Sequence, residues 1–120
     1  MASKLNLKEK ALLAGDDDAF TVVQSLGGKG IISASANVAP RFFVKMDGQI
    51  KKGDWQSAFQ TQIKLSSLIR SLFLETNPAP VKYALSVMSH CENNLRLPLV
   101  PVTAETELQI RTSLKDLELL

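Results

Sequence analysis

The sequence holds one cysteine, Cys91, one tryptophan, one tyrosine and one histidine among its 120 residues, and each scarcity excludes something. A lone thiol makes no internal disulfide, and a single His-Cys neighbour pair leaves a metal site short of the further ligands it needs at regular spacing. His90 and Cys91 also make a poor base and nucleophile, since adjacent residues on a helix point apart and no third group orients the base. They read as a helix end. Neither sign of charge dominates: Lys+Arg 14 against Asp+Glu 12 gives +2, and the two signs are interleaved, too weak a pattern for a nucleic-acid footprint. The densest basic spots, Lys4, Lys8 and Lys10 and the pair Lys51 and Lys52, read as solvated surface. No apolar run approaches the roughly 20 residues that cross a bilayer, and MASKLNLKEK has no apolar core of a secretory signal. These absences predict a soluble protein of a reducing cytoplasm, with no nucleic-acid or membrane partner and no metal or other cofactor.

What is present has a clear order. A chain of 120 residues allows one domain at most. Ala11–Ala14 is a short apolar run that stops at Gly15 and the acids Asp16, Asp17 and Asp18, before Phe20, Val22, Val23 and Leu26. This predicts strand, turn and helix, with the aspartates at the helix start, where carboxylates accept unpaired N–H groups. Gly27 and Gly28 end that helix, and Gly30–Ser33 reads as a second buried strand, completing a βαβ unit. Asn37 is a candidate N-cap, with Pro40 in the first turn of a helix over about Val38 to Lys52. Gly53 breaks that helix and Asp54 caps the next, in which Trp55, Phe59, Ile63, Leu68, Ile69, Leu72 and Phe73 fall largely at helical spacing. Asn77-Pro78-Ala79-Pro80 predicts an extended connection, Val81–Met88 resumes a helical pattern, and Thr103 can cap a last helix carrying Leu108, Ile110, Leu114 and Leu117. Two strand-helix units followed by three helices do not make a complete fold, because buried parallel strands need partners on both edges.

The chemistry-bearing patterns are weak one by one. Gly28-Lys29-Gly30 fails as a P-loop, since Val23 stands where a glycine is required and Gly30 where Ser or Thr is required, and it fails as a dinucleotide fingerprint at Ser33. Lys82, between Val81 and Tyr83, is the least exposed-looking lysine for Schiff-base chemistry, yet it reads as an amphipathic stem whose ammonium reaches solvent.

Taken in order, the segments are specific. Leu13-Ala14-Gly15-Asp16-Asp17, Gly27-Gly28-Lys29-Gly30-Ile31-Ile32-Ser33 and Ala36-Asn37-Val38-Ala39-Pro40 resemble the last two strand-helix units of dihydrodipicolinate synthases. Gly53-Asp54-Trp55, the run Leu72 to Lys82 and Leu95 to Pro101 are similar to that family's C-terminal helices, so the resemblance covers nearly the whole chain from about Leu12. It implies an α/β fold: strands seven and eight of a (βα)8 barrel within residues 1–52, a three-helix extension over 53–120, and one incomplete domain. It also implies a lyase of lysine biosynthesis (the diaminopimelate route) that condenses pyruvate with L-aspartate 4-semialdehyde through a Schiff base.

The family's catalytic lysine lies on the sixth strand, and its tyrosine relay, paired threonines and semialdehyde-binding arginine are also upstream, so no catalytic residue carries over. What carries over is a substrate-facing rim. Gly15 matches a glycine beside bound pyruvate, Ile32 a residue whose carbonyl faces the lysine, and Asn77 a residue near the site entrance, although Asn77 also reads as an ordinary turn asparagine. The expectations are then an aldolase-type fragment inactive alone, whether a truncated gene product or an engineered piece, or a structural module pairing with itself as a homo-oligomer or with a separate N-terminal part. A related pyruvate aldolase using another aldehyde is the third.

Overall fold

The computed structural model describes Asn6 and residues 9–120. Two short parallel strands, β1 (Leu13–Ala14) and β2 (Gly30–Ile31), pair with Leu13 opposite Gly30 and Ala14 opposite Ile31. They are shorter than the apolar runs that encode them, but the ladder continues at both ends: Lys29 N–H donates to the Leu12 carbonyl at 2.8 Å and Ile32 N–H to that of Ala14 at 2.9 Å. Between the strands lie a 3-10 turn, Asp17–Ala19, and helix α1 (Phe20–Ser25). The chain leaves α1 through Gly27, at φ 87°, and Gly28, where an added Cβ would meet the Val23 side chain and carbonyl at 2.7 Å. Only glycine fits that approach.

Four longer helices follow. A second 3-10 turn, Ser35–Asn37, leads into α2 (Pro40–Lys51), and α3 (Trp55–Leu72), α4 (Ala79–Val87) and α5 (Ala104–Asp116) complete the chain. Gly53, at φ 79°, separates α2 from α3. The Asp54 carboxylate caps α3 at the Ser57 N–H and the Thr103 hydroxyl caps α5 at the Thr106 N–H, as their positions predict.

Two local expectations are corrected. Asn37 is not the cap of α2: its side-chain amide turns back to the Ser33 and Ala34 carbonyls, and Ala39 occupies the cap position without a side-chain bond. Pro40 at the first helical position makes that arrangement inexpensive, because it has no N–H to satisfy. Asn77-Pro78-Ala79-Pro80 is not an extended connection either; α4 begins at Ala79 with Pro80 in its first turn, where proline is tolerated.

α3 is the centre of the packing. It lies along α2 and against α5, which also packs on α4, and one core cluster joins Phe20, Val38 and Met46 to Leu65, Leu68, Leu72, Ala84, Ile110 and Leu114. Phe20 meets Phe43 edge to face at 5.8 Å. Arg41 donates to the Leu117 and Glu118 carbonyls, holding the C-terminal end of α5 against the start of α2. Tyr83 ties α4 to α5 by donating to Glu107 at 3.1 Å and accepting from Arg111 at 2.7 Å.

The apolar pattern of α3 is divided. Leu68, Ile69 and Leu72 are buried, whereas Phe59, Ile63 and Phe73 are exposed, Ile63 at 71%. On α5, Leu108 is likewise exposed while Ile110 and Leu114 are fully buried. The radius of gyration, 15.6 Å, exceeds the roughly 14 Å expected of a compact chain of this length. No helix of the described residues is long and apolar enough to cross a membrane.

Candidate functional site

The β1–β2 pair has one covered and one open face. Side chains alternate along a strand, so Leu13, Gly15, Gly30 and Ile32 share one face while Ala14 and Ile31 share the other. Ala14 is buried and Ile31 packs on the helical core. Leu13 is 45% exposed and Ile32 72%. Gly15 is exposed too, and an added Cβ there would meet nothing within 4 Å. The C-terminal ends of both strands therefore present Gly15 and Ile32 side by side on an uncovered face, joined through the bond from Ile32 N–H to the carbonyl preceding Gly15.

Beside Gly15 opens a cleft of about 600 Å³, lined by Gly15, Asp16 and Asp18 from the first loop and by Ile69, Arg70, Phe73 and Leu74 from the end of α3. The three aspartates do different work. Asp16 accepts from the Asp18 N–H at 3.1 Å and caps the 3-10 turn. Asp18 faces the cleft; partial burial raises its carboxyl above the usual value, repulsion from Asp16 and more weakly Asp17 adds to this, and Arg70 acts in the opposite direction. Asp17 is 1% exposed and turns away from the cleft to accept from the Ser35 N–H at 2.8 Å, across to the loop that follows β2.

Asn77 lies apart. It is exposed in the turn between α3 and α4, and no hydrogen bond or cleft among the described residues joins it to Gly15 or Ile32. Lys82 donates through Nζ to the Asn94 carbonyl, half-buried against the 92–102 loop and outside the Gly15 cleft. His90 and Cys91 are exposed where α4 ends. Lys4 and Lys8 lie outside the described residues. Among the described residues no group of three acids, histidines or cysteines could hold a metal ion. The arrangement offers a rim of two strand ends with backbone groups and a mixed-charge cleft whose lining residues include no lysine. Sequence reasoning missed Arg70 and the crossing role of Asp17: Arg70 reads as an ordinary surface cation on a helix, and Asp17 as one of three equivalent acids.

The sequence matches the family model described as dihydrodipicolinate synthetase over residues 3–117. A 4-hydroxy-tetrahydrodipicolinate synthase of Methanococcus aeolicus is 38% identical over 116 residues, covering 97% of this chain and 40% of that protein. Among solved structures, the dihydrodipicolinate synthase of Thermotoga maritima superposes with a TM-score of 0.93 at 37% identity, covering 98% of this chain and 41% of that one. The chloride-inhibited enzyme of Acinetobacter baumannii, complexed with pyruvate, superposes at 0.87 with 34% identity over 93% of this chain and 38% of its own. The chain thus spans about 40% of the length of the relatives it matches.

Proposed function

The chain belongs to the dihydrodipicolinate synthetase family, an α/β barrel family, and we propose that it supplies the last two strand-helix units and the C-terminal helices of such a barrel. In this reading β1 and β2 are strands seven and eight, residues 1–52 belong to the barrel, 53–120 form the helical extension, and the two make one incomplete domain. The single core shared by Phe20, Val38 and the α3–α5 leucines supports one domain. The whole assembly condenses pyruvate with L-aspartate 4-semialdehyde through a Schiff base, with pyruvate bound against Gly15 and the Ile32 carbonyl, and Asn77 near the entrance.

The observation that carries the reading is the open face. Gly15 and Ile32 are uncovered at the C-terminal ends of two parallel strands, where barrel enzymes place their active sites, and Leu13 is exposed on the same face. The chain contributes binding groups and no Schiff-base lysine, so it forms no enamine by itself. Lys82 is a poor substitute, held to a loop carbonyl outside the cleft beside Gly15. Co-expression with the part of the Thermotoga maritima relative outside the matched region tests this. The expected result is a co-purifying complex in which pyruvate and borohydride label the other part. A complex that forms and remains unlabelled contradicts it.

A second reading, a module that pairs its edges with itself or with a separate N-terminal part, is favoured by the outer edges of β1 and β2, which no other strand among the described residues pairs with, and by the exposed Phe59 and Ile63. Light scattering on a size-exclusion column separates the two, since a folded monomer at micromolar concentration counts against obligate self-pairing.

A further inference from the structure

We propose that Asp17 and Gln62 are positioning residues that fix the Gly15 loop against the Ile32 loop, and so set the spacing of the substrate-facing rim. This rests on the reading of Gly15 and Ile32 as that rim. Asp17 receives two long-range bonds from different elements. Its carboxylate Oδ2 accepts from the Ser35 N–H at 2.8 Å, tying the loop after β1 to the loop after β2. Its main-chain carbonyl accepts from Gln62 Nε2 at 3.1 Å, tying the same loop to the middle of α3. The three participants are almost wholly removed from solvent: Asp17 at 1% exposure, Ser35 at 0% and Gln62 at 7%.

Local needs do not account for this geometry. Asp16 already caps the 3-10 turn, so the Asp17 carboxylate is free to leave its own helix start. A carboxylate is costly to bury without donors, and this one takes a backbone N–H 18 positions away. The junction also has no slack. The Ser35 hydroxyl and Gln62 Oε1 are buried without a hydrogen-bond partner, so losing the Asp17 bonds would add further unpaired polar groups at the same place. Gly15 and Ile32 are then separated from this junction by one residue and two residues respectively, and are linked to each other through Ala14. A shift at Asp17 moves both.

The test uses the full chain, labelled with nitrogen-15, and compares amide exchange at Ile32 with exchange at Leu114 in the core. Asp17→Ala is expected to shift the Gly15 and Ile32 resonances and to raise the Ile32-to-Leu114 exchange ratio about tenfold, the scale of one lost buried bond. Asp17→Asn, which retains an acceptor oxygen, is expected to restore the ratio to within about threefold. Ile110→Val, a core change away from the rim, should lower stability and leave the Gly15 and Ile32 resonances unshifted. Gln62→Met removes only the second tie and serves if Asp17→Ala does not fold; it should raise the ratio about threefold. An unchanged ratio in Asp17→Ala or in Gln62→Met overturns the proposal, as does failure of Asp17→Asn to rescue. None of these readouts involves pyruvate, so an intact tie in a chain whose complex takes up no pyruvate would fault the functional reading and leave this one standing.

Discussion

Two leucine-sized side chains, two positions apart on α3, should respond very differently to truncation. Leu65 is fully buried in the core cluster, whereas Ile63 is 71% exposed on the same helix. Leu65→Ala removes a side chain from a closed core and should cost about 2–5 kcal/mol, transfer and cavity together. Ile63→Ala should cost about 0.5 kcal/mol or less, since most of its surface already faces water. Against a total stability on the order of 5–15 kcal/mol, the first is a large fraction and the second is barely visible. Urea unfolding followed by far-ultraviolet circular dichroism measures both, and the slope against urea should be unchanged. Equal losses for the two variants would contradict this difference and would mean that the outer stripe of α3 is covered in solution. Repeating the scan at several protein concentrations would then show whether a second copy covers it.

Other consequences can be checked in the same preparations. Hydrogen bonds from the Thr106 side chain and from the Thr103 N–H and hydroxyl hold the Glu75 carboxyl below its ordinary value. Its contribution is therefore present above the ordinary carboxylate range and is lost as pH falls through the lowered folded value, so the stability gap between the native chain and Glu75→Gln should close on acidification; a gap that widens would contradict this. Tyr83→Phe leaves Glu107 and Arg111 without their shared partner and should cost about 1–2 kcal/mol by thermal unfolding. The Tyr83 phenol, pushed up from 10.0 chiefly by burial, should ionise at higher pH than a free tyrosine in an ultraviolet titration. Gly28→Ala forces a methyl onto Val23 and should cost about 1–3 kcal/mol, read as a lowered melting temperature.

Much of this fold is legible in the chain because its signals are local. Gly53 with Asp54, and Thr103 at the head of α5, lie where the sequence places them, since a helix break and a cap need only neighbouring residues. Asn37 misleads for an equally local reason: it bonds backward to Ser33 and Ala34, and a sequence does not say which way an asparagine turns. The double proline misleads because the same residues fit an extended linker and a helical first turn. The crossing role of Asp17 leaves no trace at all, since its partners Ser35 and Gln62 are 18 and 45 positions away. Phe59 and Ile63 are legible as apolar, yet whether an apolar stripe is covered depends on what packs on it. Gly15 and Ile32 stand out through family resemblance alone; that they lie side by side on an open face depends on the pairing of β1 with β2, which no local pattern states.

We propose that Gly15 and Ile32 face substrate and that none of the lysines of this chain forms the Schiff base. The test is to incubate the isolated chain with pyruvate, reduce with borohydride and weigh the intact protein. The unmodified mass is the expected result. A stoichiometric reduced adduct, mapped to Lys82 or any other lysine, would contradict it.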